Sequence, residues 1–510
     1  MRLPVTAFAL ALVCNAPAAL IPSEPVTINH DPQFVFDQAL VDNTWAIKYK
    51  RQSVLRVVHQ ARKHPGNPVL TGDQASYLTV LRDAENGVFR MYYQANIRVG
   101  GKLPDDNQEV LPEDTKGRQT KGRKFRTHIA YAESEDGIHW TRPDLNLFPW
   151  NQQKPNNLII GRRDHPEVET CSPALLELPE RDRAGFKYWL LYRAKGRARE
   201  LAGIRAAASR DGIHWEEQDD HLVHHLHSDH PNTLVHDPVR DEYVLFCRAK
   251  DIYRAFGTEM IDTGASRRIA RLSNKELFAG WEDAGTAQTI LLPDERDHET
   301  HFTFFYGMPV RRHAGVWFGF LEPFRMNDFI YSEVATSRDG LHWQRFPERK
   351  KLIEYGPEGS WDDEMIFASV NWVEVGDEWW IYYSGWDGPH GTPDRTGGIG
   401  LAKIRKEGFA SLRGPQGGGV VVTRRLIWPG GPLLVNADAR EGELKVRVSD
   451  MKRRPIEGFD YGQSDVFTGD AIRAEIRWQG RSLDELKGRE LRLEFQLRDA
   501  DLYTFLAGAQ

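Results

Sequence analysis

The chain has 510 residues, with 67 Lys and Arg against 73 Asp and Glu, a formal charge of −6, and 40% hydrophobic and 11% aromatic residues. At roughly 150 residues per domain this length implies two or three domains, and the hydrophobic content excludes a disordered chain. The near balance of charge excludes a general attraction to nucleic acid or to an anionic membrane, and 44 Gly with 28 Pro exclude a collagen-like or low-complexity class.

Arg2 opens a short positive start. The apolar run 3–13 (LPVTAFALALV) is too short to span a bilayer and is followed by small residues at Ala16 and Ala18. This predicts a signal peptide over 1–18 and a secreted or periplasmic protein. Leu12 and Val13 make a poor lipid-attachment signal before Cys14. No later run is apolar and long enough to cross a membrane. Cys171 and Cys247 remain; two cysteines make no disulfide framework, although an oxidising compartment would let them pair.

Residues 20–69 precede the first repeat, and Ser53–Val58 (SVLRVV) is expected as an extra strand or as the segment that closes a ring. From there the chain repeats. The heptad Ser-x-Asp-Gly-[Ile/Leu]-His-Trp occurs at Ser134–Trp140, Ser209–Trp215 and Ser337–Trp343. Degraded copies lie at Ser273–Trp281 and Arg405–Phe409, so the starts are spaced by 75, 64, 64 and 68 residues. Each heptad closes a similar order of short apolar run, polar turn and aromatic strand, for example LTVLR, DAENG and FRMYY at 78–93. These are β-strand compositions with turn chemistry between them. Five meander units predict an all-β fold: a five-bladed β-propeller over 35–412, in which radial repetition removes long sheet edges. The break GPQGGG at 414–419 is followed by alternating segments such as GELKVRVSD at 442–450. Alternation predicts half-buried strands, and 420–510 is read as an accessory β-sandwich.

The heptad holds Ser, Asp and His, but its recurrence in three units argues for structure, since an active site needs one copy. If inner strands start at one face, all heptads lie at the other. The first face then gathers the residues that precede the inner strands, and these are rich in carboxylates: Asp73, Glu167 and Glu169, Asp229 beside His227 and His230, Asp297 with His298 and Glu299, and Asp362 with Asp363 and Glu364. Arg193, Arg248, Glu322, Asp387 and His390 follow second strands and rim the same face. Facing carboxylates suit glycoside hydrolysis, one as acid and one as base or nucleophile.

The heptad resembles the Asp box of sialidase-type propellers, which implies a turn whose Asp accepts backbone N–H bonds and whose Trp packs between blades. The five units and the segment VETCSP at 168–173 resemble the five-bladed glycoside hydrolases of families 32, 43 and 117, and most resemble secreted family-32-like propeller proteins. The resemblance implies Asp73, Glu169 and Asp229 as catalytic carboxylates, with Glu169 matching an E-C-P acid motif into which a Thr is inserted. The topology, independently of the resemblance, makes Arg193, Arg248, Asp297, His298, Glu299, Asp362, Glu364 and His390 the expected substrate-binding residues. The chain departs from the family in lacking a W-x-N-D-P-N-G opening and an R-D-P motif at a blade start. No metal or other cofactor is expected for catalysis, although the resemblance leaves room for a structural cation such as calcium at the axis. The expected partner is a carbohydrate. The basic run KGRQTKGRKFR at 116–126, with Arg193 and Arg248, suggests an anionic one. A non-catalytic glycan-binding propeller and a phosphorolytic transferase remain as alternatives, because a fold does not fix a function.

Overall fold

The computed structural model describes residues 24–42, 53–72, 75–98, 125–148, 156–161, 168–195, 203–218, 228, 230–249, 253–255, 258–260, 267–277, 281, 287–299, 303–325, 329–391 and 395–509. The expected signal peptide, Cys14, Asp73, Glu167, His227, Asp229 and the basic run through Lys124 lie outside these residues. The described chain is almost entirely β, with only short 3-10 turns beside the strands. None of its helices is long and apolar enough to cross a membrane.

Two compact units divide the chain: Val58–Ala410, and Met1–Val57 together with Ser411–Gln510. The expected boundary at residue 35 therefore shifts, because the segment before Val58 groups with the C-terminal unit. In that second unit, one sheet includes Gln33–Phe34, Leu433–Asp438, Asp470–Ile476 and Ala500–Ala507, and another includes Leu426–Ile427, Gly419–Val422, Glu443–Ser449 and Glu490–Arg498. Glu443–Ser449 alternates between half-buried and buried positions, as its sequence pattern predicts. Trp428, Trp478, Phe495 and Phe505 are fully buried in this unit's core.

Besides two two-stranded pairs, Tyr253–Ala255 with Thr258–Met260 and Thr303–Phe305 with Pro323–Arg325, five antiparallel meander sheets of four or more strands lie among the described residues of the unit Val58–Ala410. The first runs Ser76–Arg82, Phe89–Arg98, Phe125–Ser134 and Leu158–Ile160. The second runs Glu169–Leu175, Tyr188–Lys195, Gly203–Ser209 and Trp215–Glu217. The third runs Thr233–Asp237, Glu242–Ala249, Arg268–Asn274 and Gln288–Leu291. The fourth runs Val310–His313, Val316–Leu321, Glu333–Ser337 and Trp343–Arg345. The fifth runs Met365–Ala368, Glu378–Trp386 and Gly397–Arg405, and its outer strand is Arg62–Lys63, from before the first sheet. Arg62–Lys63 thus supplies the added strand of the fifth sheet, while Leu55–Val58, within the expected strand 53–58, is a strand beside Ala410–Gly414. Lys63 Nζ is 2.6 Å from the buried Asp362 carboxylate, which also accepts the Tyr383 hydroxyl at 2.8 Å.

Each sheet contacts the next. The Ile129 N–H donates to Thr170 Oγ1, the Val310 N–H to Thr233 Oγ1 and the Ala368 N–H to Ser332 Oγ. Leu191 of the second sheet and Leu245 of the third share one apolar cluster. The fifth sheet returns to the first, where the Asn371 amide donates to the Val80 carbonyl at 2.7 Å.

The heptads form the expected turns. Asp339 Oδ1 accepts the N–H groups of Leu341 and His342 at 2.9 and 2.8 Å, while Ser337 Oγ accepts the Gly340 N–H. Asp136 and Asp211 repeat this pattern. The central glycine takes φ values of +74, +79 and +69° in the three copies, the left-handed region that glycine enters without a Cβ clash. Each Trp then packs on the neighbouring sheet: Trp140 on Tyr382, Trp215 on Tyr92 and Trp343 on Phe246, with centroids 5.5–5.8 Å apart. Burial opposes ionisation of Asp339, yet the bonds from His342, Leu341 and Ser337 hold its carboxyl at about 2. The turn is therefore strongest above the ordinary Asp range near pH 4 and weakens as pH falls toward 2. Asp339→Ala should cost about 1–3 kcal/mol at neutral pH. The difference in Tm between wild type and variant, followed by calorimetry, should shrink between pH 4 and 2; a constant difference would contradict this role.

Candidate functional site

The starts of the inner strands bring together ionisable side chains from four of the five sheets. Tyr77, at φ +35°, sits near the start of the first sheet's inner strand. Its hydroxyl is 3.0 Å from that of Tyr306, and His390 Nε2 lies 3.1 Å from Tyr306 on the other side. His230 precedes the inner strand of the third sheet. Its Nε2 is 2.8 Å from Glu322 Oε2, and both side chains are at most 2% exposed. Glu322 immediately follows the second strand of the fourth sheet, and its N–H donates to the Gly307 carbonyl at 2.9 Å. Phe367 of the fifth sheet packs edge-on against both tyrosines.

Two guanidinium groups complete the cluster. Arg248, on the second strand of the third sheet, is 1% exposed and donates to the Tyr306 carbonyl at 3.3 Å. Its guanidinium carbon is 5.0 Å from the Tyr306 ring centroid, and that of Arg267 is 4.8 Å away. Arg248 is pushed below the ordinary guanidinium range by burial first, and the charge of Arg267 adds to this. The Tyr77 phenol is pushed well up by burial, by Tyr306 and by the Glu322 charge, against the pull of Arg248. The Tyr77 phenol is therefore a neutral hydroxyl at ordinary pH.

Glu169 opens the inner strand of the second sheet and is 1% exposed. Its Oε2 accepts both the N–H and the hydroxyl of Thr127, each at 2.9 Å, an arrangement suited to an anion. Glu364 immediately precedes the inner strand of the fifth sheet and is partly exposed. Burial, with the neighbouring charges of Asp363 and Asp387, raises its pKa above the ordinary carboxyl value. Arg193 is buried on the second strand of the second sheet, opposite Cys171.

Other expected residues lie elsewhere. The inner strand of the fourth sheet begins at Val310, so residues 297–299 do not stand at its start. Asp297 is held by both terminal nitrogens of Arg345, at 2.6 and 2.8 Å, and caps a short 3-10 turn. His298 and Glu299 are exposed on that turn. Asp362 is committed to Lys63 and Tyr383. Cys171 and Cys247 are both buried and are not joined by a disulfide, so the pairing an oxidising compartment would allow does not form. Among the described residues, no group of three or more His, Cys, Asp or Glu is arranged to hold a metal ion.

Sequence reasoning named His230, Glu322 and His390 for this face but missed Tyr77, Tyr306 and Arg267. The two tyrosines read as ordinary aromatic strand residues. Their position beside inner-strand starts, where a phenol can keep a polar handle, was the available signal. At the opposite ends of the inner strands, a cavity of about 430 Å³ is lined by residues including Leu81, Leu175, Val235, Arg312 and Asn371. It shares none of its lining with the tyrosine cluster.

No protein-family profile matches the chain. A curated relative, "A type blood N-acetyl-alpha-D-galactosamine deacetylase" of Flavonifractor plautii, is 23% identical over 287 residues, which are 48% of this chain and 33% of that protein. The chain thus spans about a third of the length of the curated relative it matches. Among solved structures, the N-acetylgalactosamine deacetylase of F. plautii is similar at 15% identity and a TM-score of 0.41, covering 70% of this chain and 97% of that one. A glycosyl hydrolase of Bacteroides ovatus is similar at 12% identity and 0.44, covering 69% and 95%. The β-1,2-mannobiose phosphorylase of Listeria innocua is similar at 12% identity and 0.44, covering 68% and 97%. Glycoside hydrolases, the class that the repeats and turns resemble, are thus among the structures this chain is similar to.

Proposed function

We propose that Val58–Ala410 is a five-bladed β-propeller, that the C-terminal strands form an accessory β-sandwich, and that the protein is a secreted glycoside hydrolase acting where the inner strands start. The observation that carries this reading is the convergence, from four sheets, of the His230–Glu322 pair and the Tyr77–Tyr306–His390 hydrogen-bond chain. Buried ionisable groups drawn from separate elements to one end of a fold are a physical signature of a reactive site. In this reading Glu364, whose pKa is raised by burial and by Asp363 and Asp387, protonates the leaving oxygen. An ionised carboxylate on the opposite side of the sugar, Glu169 or one of Asp73 and Asp229, attacks the anomeric carbon or activates water. Tyr306 and His390 orient sugar hydroxyls.

One observation favours a second reaction on the same site, hydrolysis of an N-acyl group on a sugar. His230 and Glu322 form a buried imidazole–carboxylate pair beside the Tyr77 and Tyr306 hydroxyls. Such a pair can deprotonate water while hydroxyl donors stabilise the developing oxyanion. The relative from Flavonifractor plautii is named as an N-acetyl-alpha-D-galactosamine deacetylase. The two reactions separate by product. The purified protein is incubated with neutral, anionic and N-acetylated glycans, and both reducing ends and free acetate are measured. Reducing ends without acetate support the glycosidase, and acetate without reducing ends supports the deacylase. Neither product, with glycan retained on an affinity gel, would overturn both in favour of a binding protein.

A further inference from the structure

We propose that the glycan taken by this site carries a carboxylate or sulfate group, and that Arg267, with Arg248 beneath it, holds that group. The inference rests on the reading of the site as glycan-binding and names the class of glycan.

Arg267 stands immediately before the third strand of the third sheet. Its guanidinium carbon is 4.8 Å from the Tyr306 centroid and 5.1 Å from that of Phe324, so two rings fix its plane. Stacking of this kind orients a guanidinium and leaves its N–H edge available for an acceptor. Among the described residues Arg267 has no ion pair, and its buried Nη1 has no hydrogen-bond acceptor. Arg248 lies against the same Tyr306 ring and repels Arg267. Glu322, the nearby buried carboxylate, is engaged by His230 at 2.8 Å.

Two like charges placed against one ring raise each other's energy. A neutral sugar hydroxyl does not relieve that repulsion, whereas an anion does. Carboxylate and sulfate oxygens match the guanidinium fork and accept two parallel hydrogen bonds. Arg267 is partly exposed, so a ligand can reach it, and Arg248, 1% exposed, adds a field in a place that water screens poorly.

The test is calorimetric titration of the full chain with two matched pairs of probes. One pair is a galacturonate trisaccharide and its carboxyl-reduced counterpart; the other is a sulfated galactan oligosaccharide and its desulfated counterpart. One anionic probe should bind at least about tenfold more tightly than its neutral partner, the scale of a hydrogen-bonded charge. The two arms identify carboxylate or sulfate as the group. Arg267→Gln should abolish the preference and Arg267→Lys should retain part of it, with thermal unfolding confirming that both variants fold. The preference should also shrink as salt rises. Equal affinity for the charged and neutral members of both pairs, or an equal loss for both members in Arg267→Gln, would overturn the proposal. The readout is binding alone: an anionic preference without turnover would sink the hydrolase reading and leave this one standing. Turnover and binding of neutral glycans alone would do the reverse.

Discussion

Glu322→Gln should lower kcat by about 10²–10⁴, the range general acid–base groups contribute, with KM nearly unchanged. The side chain is 1% exposed and is 2.8 Å from His230 Nε2, so it acts through the imidazole as a positioning residue. A carboxylate there fixes the ring orientation, leaving the other ring nitrogen available to accept a proton. The amide keeps the volume but not the charge. A purely structural role would lower Tm without separating kcat from KM. The Tyr77 phenol gives a second readout. Burial, Tyr306 and the Glu322 charge all hold it up. Removing that charge should bring its spectrophotometric titration to lower pH. A variant with unchanged kcat and an unmoved tyrosine titration would remove Glu322 from the site.

Gly307→Ala should produce a similar loss by adding a single carbon. A Cβ at Gly307 would lie 2.1 Å from Cδ2 and Nε2 of His230, far inside contact distance. The glycine is needed for this close approach. The ring can yield only by leaving Glu322, so activity should fall with the pair, and the crowding should cost about 1–3 kcal/mol or more. The double variant Gly307→Ala with His230→Ala separates the two effects. Trimming the ring makes room, so much of the stability should return while activity does not. Such non-additivity is expected of two groups in direct contact. Full additivity in both stability and turnover would mean that Gly307 and His230 do not meet as described.

Much of the fold was legible because the heptad encodes its own turn. Asp136, Asp211 and Asp339 each accept nearby N–H groups, and the glycine that follows each supplies the left-handed φ. These are local interactions, and local chemistry can be read from sequence. The fourth sheet was harder. The carboxylate-rich segment at 294–299 resembled an inner-strand start, yet the strand begins later, within the apolar run 303–310. Asp297 is instead claimed by Arg345, 48 residues away, and Asp362 by Lys63, 299 residues away. Partners that distant are set by the closing of the sheets, which no local pattern records. Arg62–Lys63 as the outer strand of the fifth sheet escaped notice for the same reason, since two residues carry no periodicity.

The site divides along similar lines. His230, Glu322 and His390 were visible as polar residues at the expected ends of strands. Tyr77, Tyr306 and Arg267 were not, because tyrosine is an ordinary strand residue and Arg267 gains its meaning from the rings of Tyr306 and Phe324. The hydrogen-bond chain through Tyr306 links the inner strand of the first sheet to residues beside the fourth and fifth sheets. Its function is therefore a property of the assembled sheets, not of any one segment.

The central claim is that chemistry occurs where the inner strands start and not in the cavity at their other ends. Initial rates of reducing-end and acetate release on the best glycan of the panel, compared for wild type, Glu169→Gln and Arg312→Gln, test it most directly. Arg312 lines the cavity at the opposite ends of the strands. The account predicts at least about a hundredfold loss in Glu169→Gln and wild-type rates in Arg312→Gln, with both variants folded. Wild-type rates in Glu169→Gln with a large loss in Arg312→Gln would contradict it and move the reaction to the other end of the sheets.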